Sequence, residues 1–178
     1  MYRAVRTQQK GELSQYFSLR AKPGQKARDL DPHSFFIVLY DESKVIGGMR
    51  CTVIEAGNKE ALHIEQRAGI DLVNILKARF NIDITVRKIA QVASIILDPA
   101  YRGMNLSSLL LAKAREEMDK EGAELVFMAP YPPHDYSLVR YLDTKHQNVY
   151  SIGKTTVRDD NIAQGLKKHV LAAPIAAD

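Results

Sequence analysis

The chain predicts an α/β fold with a mixed, partly antiparallel central sheet flanked by helices. Three observations carry this. The front half alternates short β-rich runs with turns. Ile89–Leu97 is nearly continuous in apolar and small residues, as in a strand buried on both faces. From there the order runs strand, helix, strand, helix, strand, which calls for a layered α/β packing.

Taken in order, Tyr2–Val5 fits a short first strand, and Glu12–Leu19 a helical stretch. Ala21–Asp31 holds Pro23, Gly24 and several charges, and reads as a loop. Ser34–Tyr40 is β-rich, Asp41–Lys44 is a turn, and Val45–Glu55 completes a hairpin. Gly47-Gly48 inside that second strand predicts a bulge. Gln66–Phe80 is predicted helical from the spacing of Ile70, Val73, Leu76 and Phe80. Leu106–Lys120 is the clearest helix, with an apolar stripe of Leu106, Leu109, Leu110, Ala114 and Met118, a polar face, and Gly122 placed to stop it. Ala123–Ala129 is a further buried strand, ended by Pro130, Pro132 and Pro133. Ser137–Thr144 suits a short helix, Val149–Val157 more β structure, and Ala172–Asp178 a frayed tail. The unit from Ile89 to Ala129 is expected to be a right-handed crossover, with the helix start at the carboxyl end of the strand, where ligands bind in such sheets.

At 178 residues the chain suits one domain, 1–178, with a sizeable core. Its 46% hydrophobic and 26% charged content is ordinary for a globular protein. No apolar run approaches the roughly 20 residues that span a bilayer, so no membrane partner is expected. Arg3 and Arg6 are not followed by an apolar stretch, which argues against a secretory signal. The single cysteine, Cys51, rules out an internal disulfide and suits a cytoplasmic location. Inside a strand it reads as a small buried hydrophobe. The net charge of +4 is uneven: residues 1–28 hold seven bases against Glu12 alone, leaving the remainder slightly acidic. This basic segment reads either as a solvated face or as a docking surface for nucleotide phosphates or an acidic carrier protein. Nucleic acid is disfavoured, because aromatics do not interleave with the bases.

The junction from Ile95 to Leu111 carries the chemistry. A buried strand leads through Asp98-Pro99-Ala100-Tyr101 into Arg102-Gly103-Met104-Asn105-Leu106-Ser107 and the long helix. The first helical N–H groups have no partner within the helix, and its dipole adds positive charge there. Gly103 allows close backbone approach, and Arg102 can add a charge-assisted hydrogen bond. These features suit a pyrophosphate, and so a phosphate-bearing cofactor.

Arg102–Ser107 after Leu97-Asp98-Pro99-Ala100-Tyr101 resembles the cofactor motif of the GNAT superfamily of acyl-CoA-dependent N-acyltransferases, Arg/Gln-x-x-Gly-x-Gly/Ala at a helix start. The order of elements agrees over most of Ser34–Val157, implying a GNAT-like sheet. The resemblance implies that Arg102, Gly103, Met104, Asn105, Leu106 and Ser107 cradle the CoA pyrophosphate, and that Ile96 and Leu97 contact the pantetheine arm. Asn105 stands where the motif has Gly, and Ser107 where it has Gly or Ala; both are small, and Asn tolerates unusual backbone angles. Tyr16–Arg20, Asp29–Phe36 and Val45–Arg50 also resemble the acyl-homoserine-lactone and N-acyl amino acid synthases, relatives that often take acyl groups from acyl carrier protein.

The resemblance implies acyl transfer, of acetyl in the simplest case, from acetyl-CoA or another acyl-CoA to an amine of a small molecule or peptide. The alternatives are a carrier-protein-dependent synthase and a non-catalytic CoA-binding sensor. The family's backbone oxyanion contact falls nearest Leu97. Tyr141 lies where relatives often have a thiolate-protonating tyrosine, with Tyr136 as substitute. The strand lacks the glutamate that many relatives carry as base. Glu65, His63 and Asp71 are the candidates, each with a surface or capping role as the alternative, while Gln91 and Ser94 could hold a water. His63-x-Glu65 lacks a third ligand, so no metal is expected. The late strands suit pairing into a homodimer.

Overall fold

The computed structural model describes residues 1–20, 34–58, 71–128, 150–156 and 167–174. In chain order the elements are β1 (Tyr2–Thr7), α1 (Lys10–Arg20), β2 (Ser34–Asp41), β3 (Lys44–Ile54), α2 (Leu72–Phe80), β4 (Ile89–Leu97), α3 (Leu106–Lys120), β5 (Leu125–Met128), β6 (Tyr150–Thr156) and β7 (Lys167–Pro174). They fall into two compact units, residues 1–52 with 92–121 and residues 53–91 with 122–178. Strands β3 and β4 each contribute to both. Among the described residues, no helix is long and apolar enough to cross a membrane.

The first unit has the strand order β1-β2-β3-β4, with β2 antiparallel to both its neighbours β1 and β3. The β2–β3 register places Tyr40 opposite Val45 but Leu39 opposite Gly47, so Ile46 is the extra residue of a bulge. The bulge thus precedes the glycines that predicted it. On one side, Leu13 and Tyr16 of α1 close a core over Phe36, Val38, Tyr40 and Val45, with Ile96 packed against it. Cys51 is fully buried, and burial pushes its thiol up to about 12. Helix α3 packs on β1 and β2 through Leu106, Leu110, Leu111, Ala114 and Met118. Leu109, expected in that stripe, is 41% exposed, and Leu111 takes its place. Glu117 is buried on the same helix face, taking bonds from Lys113 at 2.9 Å, Lys120 at 3.0 Å and Arg6 of β1 at 3.4 Å. Those cations, Lys113 foremost, hold its carboxyl down at about 2.

The second unit has the order β4-β5-β7-β6, with β7 antiparallel to both β5 and β6. Its core joins Leu72 and Leu76 of α2 to Ile54, Ile84, Ile89, Leu125 and Phe127. Two expectations need correction here. The helix expected over Gln66–Phe80 is interrupted at Asp71, an extended N-cap whose carboxylate accepts from Asn74 N at 3.0 Å, so α2 runs from Leu72, and Gln66–Ile70 lie outside the described residues. Residues 172–174 are not frayed; they complete β7, pairing with Leu125–Phe127. The loop Ala21–Asp31 and the helix Ser137–Thr144 lie outside the described residues.

Candidate active site

The site grows from the second half of β4. Residues Ile89–Val92 are buried, while from Ala93 onward the strand opens and Ile95 is 42% exposed. Next to that change, Ser94 takes a left-handed φ of 59° in mid-strand. Among the described residues, the other non-glycine positions with positive φ are Glu42, Asn81 and Asn105. Glu42 sits in the β2–β3 turn, and Asn81 and Asn105 are helix caps. Left-handed backbone costs a side-chain-bearing residue about 1–2 kcal/mol, and persists where surrounding structure over-determines it. Here the Tyr16 hydroxyl donates to Ser94 O at 2.7 Å.

Two glycines seat this bent strand. A β-carbon on Gly47 would lie 2.7 Å from Ile96 O and 2.6 Å from Leu97 Cδ2. One on Gly48 would lie 2.8 Å from the Tyr16 ring and 2.7 Å from Ile37 O. Their lack of side chains therefore lets β4 and α1 approach β3. Beyond Leu97, Asp98 N donates to Ile46 O at 2.8 Å, tying the strand end to the bulge.

The loop after β4 is held by a small set of polar contacts. Asp98 caps the short 3-10 turn Pro99–Tyr101, accepting from Ala100 N at 3.0 Å and from Lys44 Nζ at 3.3 Å. The Ala100 N–H, with Lys44 and Arg102, holds its carboxyl below the usual range. Tyr101 donates to Asp41 at 3.2 Å, and its ring meets Tyr2 edge-on. The Tyr2 hydroxyl in turn reaches the sulfur of exposed Met104 at 3.7 Å. Arg102 is exposed, and Gly103 (φ 81°) and Asn105 (φ 56°) are both left-handed. Asn105 therefore meets the backbone demand that a glycine would meet, as its tolerance of such angles predicts.

Asn105 is also the N-cap of α3, yet its side chain makes no capping bond, and the first turn has no acidic residue. Ser108 bonds back to Asn105 O instead, through both N and Oγ. The contrast with α2, which Asp71 caps, is chemical: the start of α3 keeps its N–H donors and dipole available to an anion. Leu106 is buried and anchors the turn, while Ser107 is half-buried. The structure thus gathers Ile96, Leu97 and Arg102–Ser107 at one strand–helix junction.

Glu65 and Tyr141, with His63 and Tyr136, lie outside the described residues. Asp71 has the capping role rather than an open one. Gln91 is buried, and its Oε1 has no hydrogen-bond partner among the described residues. Of the basic segment, Arg6 bonds Glu121 at 2.7 Å and stacks over Phe35, while Arg3 covers the Tyr40 ring. Both charges are thus engaged within the fold. Among the described residues, no group of three or more His, Cys, Asp or Glu could hold a metal ion. Sequence reasoning did not find Tyr16, Lys44 or the bend at Ser94 as parts of the site. The Gly47-Gly48 pair was the visible signal, and close approach is its cause.

An open mixed sheet whose bent strand runs into an uncapped helix start defines the GNAT fold class. The chain belongs to the acetyltransferase (GNAT) family, whose model matches residues 2–153, and so is an acyltransferase of that family. Solved structures show the same fold. The ribosomal-protein-S18-alanine N-acetyltransferase from Escherichia coli aligns over 100% of this chain and 96% of its own, at 12% identity and a TM-score of 0.58. An N-acyl amino acid synthase from uncultured soil microbes aligns over 98% and 90%, at 14% identity and a TM-score of 0.58. A CoA-dependent acyl-homoserine lactone synthase aligns over 90% and 68%, at 14% identity and a TM-score of 0.53. Curated protein sequences give no match.

Proposed function

We propose that the chain acts as a single acyltransferase domain that moves an acyl group, acetyl in the simplest case, from acyl-CoA to an amine of a small molecule or peptide. The observation that carries this reading is the uncapped amino terminus of α3, set directly after the open end of β4. Acyl-CoA has a pyrophosphate and an amide-bearing arm, and the two halves of this junction suit those two parts. In this reading the backbone amides of Gly103–Ser107 and the Arg102 guanidinium hold the pyrophosphate. Ile96 and Leu97 present backbone groups to the pantetheine arm, and the Leu97 N–H offsets negative charge growing on the thioester oxygen. As the amine nitrogen bonds to the carbonyl carbon and the carbon–sulfur bond breaks, Glu65 takes the amine proton and Tyr141 gives one to the leaving thiolate. The family resemblance supports the role of Tyr141, while Glu65 stands in for the strand glutamate that this chain lacks.

Calorimetric titration with acetyl-CoA tests the reading. Wild type should bind saturably. Arg102→Ala should weaken binding by about 10–100-fold, the worth of a charged hydrogen bond, and Gly103→Asp should abolish it through backbone strain and charge repulsion. No binding by wild type would overturn the acetyl-CoA reading and make an acylated carrier protein the donor to try.

A further inference from the structure

We propose that the Tyr16 hydroxyl is a positioning group that keeps β4 bent at Ser94, and so sets where Ile96 and Leu97 are presented. The inference rests on the donor reading above for what those two residues meet. Tyr16 is fully buried. Its ring is fixed between Phe17 and Phe36, with centroids 5.3 and 5.6 Å away. It stands where a β-carbon on Gly48 would collide with it. The single phenolic proton can only be given, since Ser94 O has none, and the bond is 2.7 Å long.

Packing alone does not need this oxygen, because a phenylalanine fills the same volume. What the oxygen supplies is a fixed partner for a carbonyl that the left-handed Ser94 turns out of the regular ladder. A flat strand would return Ser94 to the extended region its side chain prefers and move the two residues beyond it. The bend therefore stays dominant while Tyr16 holds it. Glycine at 94 would remove the backbone penalty and lessen the need for the clamp.

Tyr16→Phe, Ser94→Gly and the double variant are titrated with acetyl-CoA and with adenosine 3′-phosphate 5′-diphosphate, which lacks the pantetheine arm. Thermal unfolding confirms that each is folded. Tyr16→Phe should lose about tenfold in acetyl-CoA affinity, the scale of one net hydrogen bond, and hold the nucleotide within about twofold. The double variant should recover acetyl-CoA affinity to within about threefold of wild type, because glycine adopts the bend unaided. Equal weakening toward both ligands, or no change toward acetyl-CoA, would overturn the positioning role with the donor site intact. A missing rescue would show that the hydroxyl acts by another route and would likewise overturn it. Failure of wild type to bind either ligand would instead remove the donor reading, and this inference with it.

Discussion

Gly47→Ala is the sharpest test of how the site is built. The added β-carbon would sit 2.7 Å from Ile96 O, 2.6 Å from Leu97 Cδ2 and 3.4 Å from Leu97 Cα. The leucine tip can rotate away, but the carbonyl belongs to β4 backbone. Carbon–oxygen contacts settle near 3.3 Å or more, so strand β3 or the end of β4 must shift by about half an ångström. Overpacking of that kind costs about 1–3 kcal/mol. For a chain of this size each kcal/mol moves Tm by about 2–4 °C, so a fall of about 2–12 °C is expected. The residues pushed are the ones assigned to the pantetheine arm, so acetyl-CoA affinity should fall as well. Circular-dichroism melting measures the first effect and calorimetry the second. Gly11→Ala is the control: nothing lies within 4 Å of its β-carbon, and alanine in a helix is favoured by about 0.5–1 kcal/mol, so its Tm should hold or rise. A Gly47→Ala protein melting within about 1 °C of wild type would show that the close approach is not a constraint.

Two further predictions concern the frame. Glu117 has a carboxyl lowered from 4.5 to about 2, so its stabilising effect is fully present above about 4.5 and is lost as pH falls through about 2. With Lys113 and Lys120 partly open to water, the effect is roughly 1–3 kcal/mol; urea unfolding of Glu117→Gln across that window should show a flatter acid limb, and an unchanged limb would refute the assignment. Asp71→Ala should lower stability by about 0.5–2 kcal/mol through loss of the α2 cap. A neutral result in the same unfolding assay would mean the helix begins elsewhere.

Elements that declare themselves locally were legible in the sequence. Ile89–Leu97 was legible as a strand from its nearly continuous apolar and small residues, although only Ile89–Val92 are buried, and α3 follows from its 3–4 spacing. The left-handed Asn105 was within reach, since Asn is among the few side chains that accept that backbone. Ser94 was not, because nothing in Ala93-Ser94-Ile95 asks for a bend; the cause lies 78 residues away in Tyr16. Strand β7 was hidden for a related reason. Lys167–Pro174 has a weak β pattern, and pairing with β5 on one side and β6 on the other makes it a strand. The break at Asp71 was hidden because helical spacing runs across it, whereas a cap is decided by one aspartate.

Among the described residues, strand β1 has a partner on one side only, since it begins the order β1-β2-β3-β4. Such a strand offers a row of unpaired N–H and C=O groups to any other extended chain. This one is six residues long and holds Arg3 and Arg6, with the chain's amino group 3.7 Å from Asp41 at its start. A second strand arriving there would meet the charged side chains of Arg3 and Arg6, and a long apolar strand would find few residues to pair with. The same arginines that brace β1 against its own fold thus make it a poor template for aggregation.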